Sequence, residues 1–385
     1  MKVAVINTYN SKDINVWSGI PYHLSLMFDK VFGTDIQYIS IPIKRNFLSY
    51  VRGFYHNKVK RRKYLTWTDE SLIKRTKTLH NALIDANFDL IITYEFFLIP
   101  ILKSPKNRVI FWSDATFENL VDFYPYVSNL SSFSLTQGHS IQKKALAYSD
   151  AIILSSQWAI NTAIDYYSAE RHKISKIFFA CNLKTLPDPQ EINEIVSHRT
   201  STIIKLLFIG VDWQRKGGDD AVAVVENLNS RGFQTVMFVV GTEIPAHHRS
   251  NENLIPFGFV DKNSTEGETQ LTTLLKESSF LIIPSRADCT PVAFCEANSY
   301  GLPVITTDVG GIRSVVVTNI NGQASEIPNF VQEATDFIIK FPLGSKQYKE
   351  LCYSSYKYYE SAYTWLEVER RFRKVLKSFS SSTLN

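Results

Sequence analysis

Long apolar runs are missing from these 385 residues. The greasiest stretch, DLIITYEFFLIPIL at 89–102, is shorter than the ~20 residues a spanning helix needs and carries Glu95 in its middle. The opening MKVAVINTYN turns polar after Asn7 and has no apolar core of signal-peptide length, so the expectation is a chain that is neither secreted nor membrane-spanning. Cysteine is scarce: Cys181, Cys289, Cys295 and Cys352 form no CxxC pair and no zinc spacing, which predicts reduced thiols in a cytoplasm. No internal repeat occurs, and the only biased tract is the terminal SFSSSTLN. With 44% hydrophobic and 21% charged residues, the disordered, collagenous and disulfide-rich classes are excluded.

Acidic residues are missing from one segment in particular. Residues 44–63 hold Lys44, Arg45, Arg52, Lys58, Lys60, Arg61, Arg62 and Lys63 with no Asp or Glu, interleaved with Phe47, Leu48, Tyr50, Val51, Phe54 and Tyr55. The imbalance shows on a larger scale too. Residues 1–200 carry a net +7 and residues 201–385 a net −2, giving +5 for the whole chain. A basic, aromatic-rich segment suits an anionic lipid surface, and a solvated helix-loop accounts for it as well. Nucleic acid is not an expected partner, because no binding motif accompanies the charge.

What the chain does contain is a rhythm of short apolar runs followed by helical-period stretches. VAVIN (3–7), QYISI (37–41), DLIITY (89–94), RVIFW (108–112), AIILSS (151–156) and KIFFA (176–180) read as strands, with helices near 21–32, 68–86, 140–148 and 157–166. A second series follows: KLLFIG (205–210), FQTVMFVV (233–240), LIPFGFV (254–260), FLIIPS (280–285) and PVITTD (303–308), with helices near 218–230, 266–278, 291–300 and 329–340. Alternation of this kind predicts an α/β chain of two doubly wound Rossmann-like domains facing a cleft. The expected boundaries are an N-terminal domain at 1–183, a polar linker at 184–202 and a C-terminal domain at 203–359. An amphipathic helix within 360–385 is expected to pack back on the first domain.

Ligands of open parallel sheets lie beyond the carboxyl ends of the strands, so the loops there carry the functional signal. After KLLFIG, Arg215 and Lys216 precede Gly217–Gly218 and a helix start. Two cations beside free backbone N–H groups make an anion site, most naturally for phosphate, although both charges also fit a solvated surface. After FLIIPS, Thr290 is expected to cap a helix with Pro291 in its first turn, which leaves the N–H groups of Val292 and Ala293 open. Asp288 precedes that cap and Glu296 follows it by two turns. Both carboxylates suit sugar hydroxyls, and both also fit as a turn residue and a helix-surface charge. In the first domain, Asp114 follows RVIFW and is a candidate to receive an acceptor hydroxyl, with a turn or cap role as the alternative; Tyr94, Glu95 and His139 are weaker candidates.

The spacing RKGG, then Asp288-x7-Glu296 running into EANSYGLPVITTDVGG, with YTW before the last helix, resembles the GT-B retaining glycosyltransferases of family 4. The likeness spans the second half and thins in the first, where WSGIPYHL and DAIILSSQW carry it. It implies that Arg215 and Lys216 hold a donor diphosphate, that Glu296 binds the nucleotide ribose, and that Asp288, Thr290 and Val292 contact the donor sugar. Asp288 and Asp114 are then the candidate catalytic carboxylates, and Gly19 lies against the donor phosphates. The chain departs from the family pattern where Asp288 replaces the usual Glu, where Cys289-Thr290 replaces Phe-Gly, and where Val211 replaces the usual Arg.

The resemblance further implies transfer of a sugar from a UDP- or GDP-sugar to a glycan or lipid-linked acceptor with retention of configuration. Polysaccharide or glycolipid assembly on the cytoplasmic side of a membrane is the expected setting. Neither cofactor nor metal is expected, because cations and helix starts take the metal's place at the diphosphate. The alternatives left open are a non-catalytic nucleotide- or sugar-binding GT-B protein and a nucleotide-sugar epimerase of the same fold.

Overall fold

The computed structural model describes residues 1–42, 47–68 and 87–381. The chain divides into two compact units, residues 1–178 with 369–385, and residues 179–368.

The first unit is built on six parallel strands: β1 (Val3–Asn7), β2 (Ile36–Ser40), β3 (Leu90–Thr93), β4 (Arg108–Ser113), β5 (Ala151–Leu154) and β6 (Ile174–Lys176), in the order β2-β1-β3-β4-β5-β6. Helices cover a parallel sheet on both faces, so its strands read as unbroken apolar runs; β1, β3 and β5 are buried at every position. The strand expected at 176–180 lies earlier, at Ile174–Lys176, and the helix expected at 68–86 falls outside the described residues.

The second unit repeats the plan with β7 (Ile204–Ile209), β8 (Thr235–Val240), β9 (Leu254–Gly258), β10 (Phe280–Ile283), β11 (Val304–Thr307) and β12 (Gly322–Ser325), ordered β12-β11-β10-β7-β8-β9. Strand β12 is not signalled by the sequence, since GQAS is short and polar. The order is that of the dinucleotide-binding sheet, with its reversal point between β7 and β10.

The stretch read as a linker is structured and belongs to the second unit. Asp188 caps the helix Pro189–His198 through the backbone N–H groups of Gln190 and Glu191, and Glu191 returns a bond to the Asp188 N–H. Arg199 then plunges inward, only 4% exposed. Its guanidinium donates to the carbonyls of Gly301 (2.7 Å), Leu275 (2.9 Å), Tyr300 (3.1 Å) and Lys276 (3.4 Å). Those carbonyls lie at the carboxyl ends of the helices Thr265–Glu277 and Val292–Ser299, where the helix dipoles are negative. A fixed cation here replaces the intrahelical partners that the last turns lack.

At the end of the chain two helices, Lys346–Ala362 and Trp365–Ser381, stand where one was expected. From Glu369 onward the second belongs to the first unit. Phe372 is fully buried there, its ring 5.2 Å from Phe28 and 5.4 Å from Trp112, and the Lys30 ammonium pairs with Glu369 at 2.8 Å. Burying a phenylalanine side chain stabilises by about 1.5–3 kcal/mol, enough to fix this return.

Candidate functional site

In the second unit, the loops after β7 and β10 meet through main-chain atoms. Gly217 adopts φ +72°, and a Cβ there would fall 2.0 Å from the Pro284 carbonyl oxygen, so only glycine allows the approach. The Arg286 N–H donates to the Arg215 carbonyl at 2.7 Å, and Arg215 Nη1 donates to the Ala287 carbonyl at 3.0 Å. This brings the Lys216 Nζ to 2.5 Å and the Arg215 Nη1 to 3.6 Å from Asp288 Oδ2, an oxygen that also accepts from the Ser285 hydroxyl at 3.1 Å. Asp288 is buried, and Lys216 exposes little of its side chain. Arg215, Lys216 and Asp288, 72 and 73 residues apart in sequence, thus form one charge cluster at the sheet's reversal point.

The two flanking helix starts complete the cluster. Gly217 is the left-handed residue opening the helix Gly218–Ser230. The helix after β10 runs Val292–Ser299 with Pro291 in the cap position and no side-chain cap. The helix thus begins one residue later than the Thr-Pro pair suggests, with Pro291 rather than Thr290 in the cap position. Gly301, at φ +60°, follows its last turn, as expected.

Glu296 is not a surface charge. It is 4% exposed, and its Oε1 accepts from the Lys262 ammonium at 2.6 Å. Burial works against the Lys262 charge, but the Glu296 carboxylate outweighs it and holds the lysine pKa above the usual range. Lys262 comes from the loop after β9 and has no motif around it, so nothing in the sequence singles it out.

In the first unit the reversal point lies between β1 and β3, and a carboxylate sits there too. The Thr8 backbone N–H donates to Glu95 Oε2 at 2.5 Å and the Thr8 hydroxyl to Oε1 at 2.6 Å. Burial raises the Glu95 pKa from 4.5 to about 7, the Thr8 bonds opposing part of the rise. Tyr9 is held neutral far up the scale by burial, with the charges of Glu95 and Asp114 adding to the effect, so these three groups share one neighbourhood. The buried Tyr94 hydroxyl has no hydrogen-bond partner among the described residues, and the Trp17 ring meets the Tyr94 ring edge-on at 6.1 Å.

Asp114 follows β4 and is half-buried. The cap of the short helix Phe117–Leu120 is Thr116 rather than Asp114, and Thr116 forms a capping box with Asn119. His139 sits elsewhere, its Nδ1 2.9 Å from the Tyr167 hydroxyl among aromatic rings, where burial lowers its pKa. Gly19, at φ +79°, follows Trp17 and Ser18, themselves at φ +46° and +54°. Three left-handed residues in succession turn the chain into the helix Ile20–Phe32.

With the geometry in place, the likenesses to known proteins are specific to parts of the chain. Residues 204–340 match the family model "Glycosyl transferases group 1". The chain is 29% identical over 138 residues to the lipopolysaccharide glucosyltransferase WaaG of Escherichia coli K12, a match that covers 35% of this chain and 36% of WaaG. It spans about half or less of the length of the curated relatives it matches.

Among solved structures, the lipopolysaccharide outer core galactosyltransferase WaaB in apo form superposes with TM-score 0.66 at 16% identity, covering 98% of this chain and 99% of WaaB. Anabaena HepE in complex with UDP and glucose superposes with TM-score 0.61 at 13% identity, covering 98% of this chain and all of that one. These full-length superpositions establish the two-unit α/β fold of GT-B glycosyltransferases.

Proposed function

We propose that this chain is a retaining glycosyltransferase that moves a sugar from a nucleotide-sugar donor to a glycan or lipid-linked acceptor in surface polysaccharide or glycolipid assembly. One observation carries the reading: Arg215, Lys216 and Asp288 converge beside two helix starts at the reversal point of a sheet that matches a glycosyltransferase domain. The UDP bound to HepE and the sugar chemistry named for WaaG and WaaB support it.

In this reading Lys216 and Arg215 take the donor diphosphate, and Lys216 exchanges part of its bond to Asp288 for a phosphate oxygen. The N–H groups that open the helix Val292–Ser299 and the Thr290 hydroxyl face the donor. Asp288, relieved of Lys216, accepts from a sugar hydroxyl, and Glu296 accepts from the ribose. The acceptor hydroxyl, oriented by Asp114, attacks the anomeric carbon as the bond to the diphosphate oxygen breaks. Its proton passes to the departing phosphate on the same face, and the nucleoside diphosphate leaves. Stabilising the developing phosphate charge is then the largest contribution, and no resident metal is needed for it.

The amphipathic helix Phe47–Phe54 extends the proposal to a surface. Phe47, Tyr50, Val51 and Phe54, spaced i, i+3, i+4 and i+7, form one apolar stripe that is exposed to solvent, Phe47 by 85%. Lys58, Lys60 and Arg61 are exposed beside it, and no acidic residue occurs between 47 and 63. An apolar stripe beside cations suits peripheral docking on anionic lipid on the inner face of a membrane. No described helix is long and apolar enough to cross one.

The deciding experiment incubates the protein with UDP- and GDP-sugars and a mixture of glycan and lipid-linked acceptors, with and without EDTA, and follows nucleoside diphosphate release and the anomeric configuration of the product. Release with retained configuration, unchanged by EDTA, is expected. Donor binding without release would make it a binding protein, conversion of the donor sugar without release an epimerase, and rescue of an EDTA-silenced enzyme by manganese would mean the diphosphate is held by a metal.

A further inference from the structure

A cluster apart from the donor residues brings three metal-ligating groups to one point. Asp219 lies in the first turn of the helix Gly218–Ser230, and His247 and His248 lie on the short turn Ala246–His248 between β8 and β9. His248 Nε2 is 2.9 Å and His247 Nε2 3.4 Å from the same Asp219 oxygen, and all three ligand atoms lie within 4.8 Å of one another. The imidazole rings stand side by side, 4.2 Å between centroids, although consecutive side chains ordinarily diverge. Asp219 Oδ1 also accepts from the Trp213 indole N–H at 2.9 Å. Two imidazole nitrogens and one indole N–H thus converge on a single carboxylate oxygen.

The geometry points to a binding site for a zinc-class transition-metal ion formed by Asp219, His247 and His248, with water completing the coordination. Bonds of about 2.0–2.1 Å in tetrahedral array place ligand atoms roughly 3.3 Å apart, within about half an ångström of the two distances present. Two imidazoles and one carboxylate favour zinc, cobalt or nickel over magnesium or calcium, which take oxygen ligands. Binding needs each imidazole to carry its proton on Nδ1, leaving Nε2 free for the ion. Trp213 then acts as an outer partner: it keeps its bond to Asp219 and fixes the carboxylate's orientation.

The ion ties the β8–β9 connection to the start of the helix that Gly217 opens. Gly218 lies under the Trp213 ring, where an added Cβ would be 2.2 Å from a ring atom, so that start is already braced from the same side. Asp219 shares the helix start beside the proposed donor cluster, but none of the three ligands is a side chain assigned to the donor.

Cobalt(II) titration of the full chain tests it, followed by visible absorption and by the shift in thermal midpoint. A saturating visible band, displaced by zinc but not by magnesium, is expected, together with a rise in midpoint. Loss of an outer partner ordinarily costs 10–100-fold in affinity. Trp213→Phe should therefore weaken binding by about 10-fold, and His248→Ala or Asp219→Asn by more than about 100-fold. His247 is largely exposed, so His247→Ala should fold normally and still lose at least about 100-fold; circular dichroism checks its fold. Absence of a band at millimolar cobalt, or equal affinity in wild type and His247→Ala, would overturn the site.

Discussion

The Lys216 ammonium lies 2.5 Å from the Asp288 carboxylate, across 72 residues of sequence and two βα loops. The contact holds both side chains in place between the loops. A buried pair of this kind contributes little net stability, so its value lies in the orientation it enforces.

Lys216→Ala should cut kcat/KM for the nucleotide sugar by ~100-fold, about 2.7 kcal/mol of transition-state stabilisation. Steady-state kinetics check this, and wild-type turnover would remove Lys216 from the phosphate site. Asp288→Asn should spare nucleoside diphosphate binding and lower kcat, because the sugar rather than the diphosphate loses its partner.

Glu296→Gln should weaken UDP or GDP binding by at least ~10-fold, or about 1.4 kcal/mol, as measured by calorimetry. Lys262→Met addresses the other half of the pair. It leaves a buried carboxylate without its cation and should lower stability by about 2 kcal/mol, less than for a fully buried pair because Lys262 keeps some exposure.

Glu95 gives a pH signature. Its folded pKa, about 7, lies above the ordinary 4.5, so the folded state binds the extra proton between those values. Stability from this group is therefore present below pH 4.5 and lost as pH rises toward 7, by up to about 3 kcal/mol. Tyr9 stays neutral across that window. Glu95→Gln keeps the shape, and its amide can still bond Thr8. Chemical denaturation at pH 5 and pH 8 should show the variant gaining on wild type at the higher pH; a constant difference would mean that Glu95 titrates normally.

Arg199→Met leaves four carbonyls at two helix ends without their donor. A loss of about 3 kcal/mol is expected, roughly a 6–12 °C fall in the midpoint of a unit this size. Arg199→Lys should fall between the two, since an ammonium lacks the planar fork. Differential scanning calorimetry reads all three proteins.

Phe47→Ser with Phe54→Ser should abolish sedimentation with vesicles rich in anionic lipid while leaving the fold intact, because both rings face solvent. Binding of wild type should decline as salt rises, the Debye length being only about 8 Å at physiological ionic strength. Equal sedimentation of variant and wild type would leave the stripe without a role at the membrane.

Much of the fold was legible because parallel strands buried on both faces write themselves as apolar runs; RVIFW and KLLFIG are examples. Strand β12 was hidden because GQAS is held by backbone pairing with β11, not by its side chains. The linker reading failed at Arg199, whose burial depends on carbonyls at positions 275, 276, 300 and 301, a partnership no local pattern announces. In the candidate site, Arg215, Lys216, Asp288 and Glu296 stood out through spacing. Lys262 and Thr8 did not, because each acquires its meaning only from a carboxylate 34 or 87 residues away.

The contact of Gly217 with Pro284 separates two kinds of change. The seam between the loops is made by main-chain atoms, by Arg215 and Lys216, and by the absence of a side chain at 217. Any side chain at 217 would part the loops and displace the cations at 215 and 216, whereas a solvent-facing loop position such as Val211 meets no such limit.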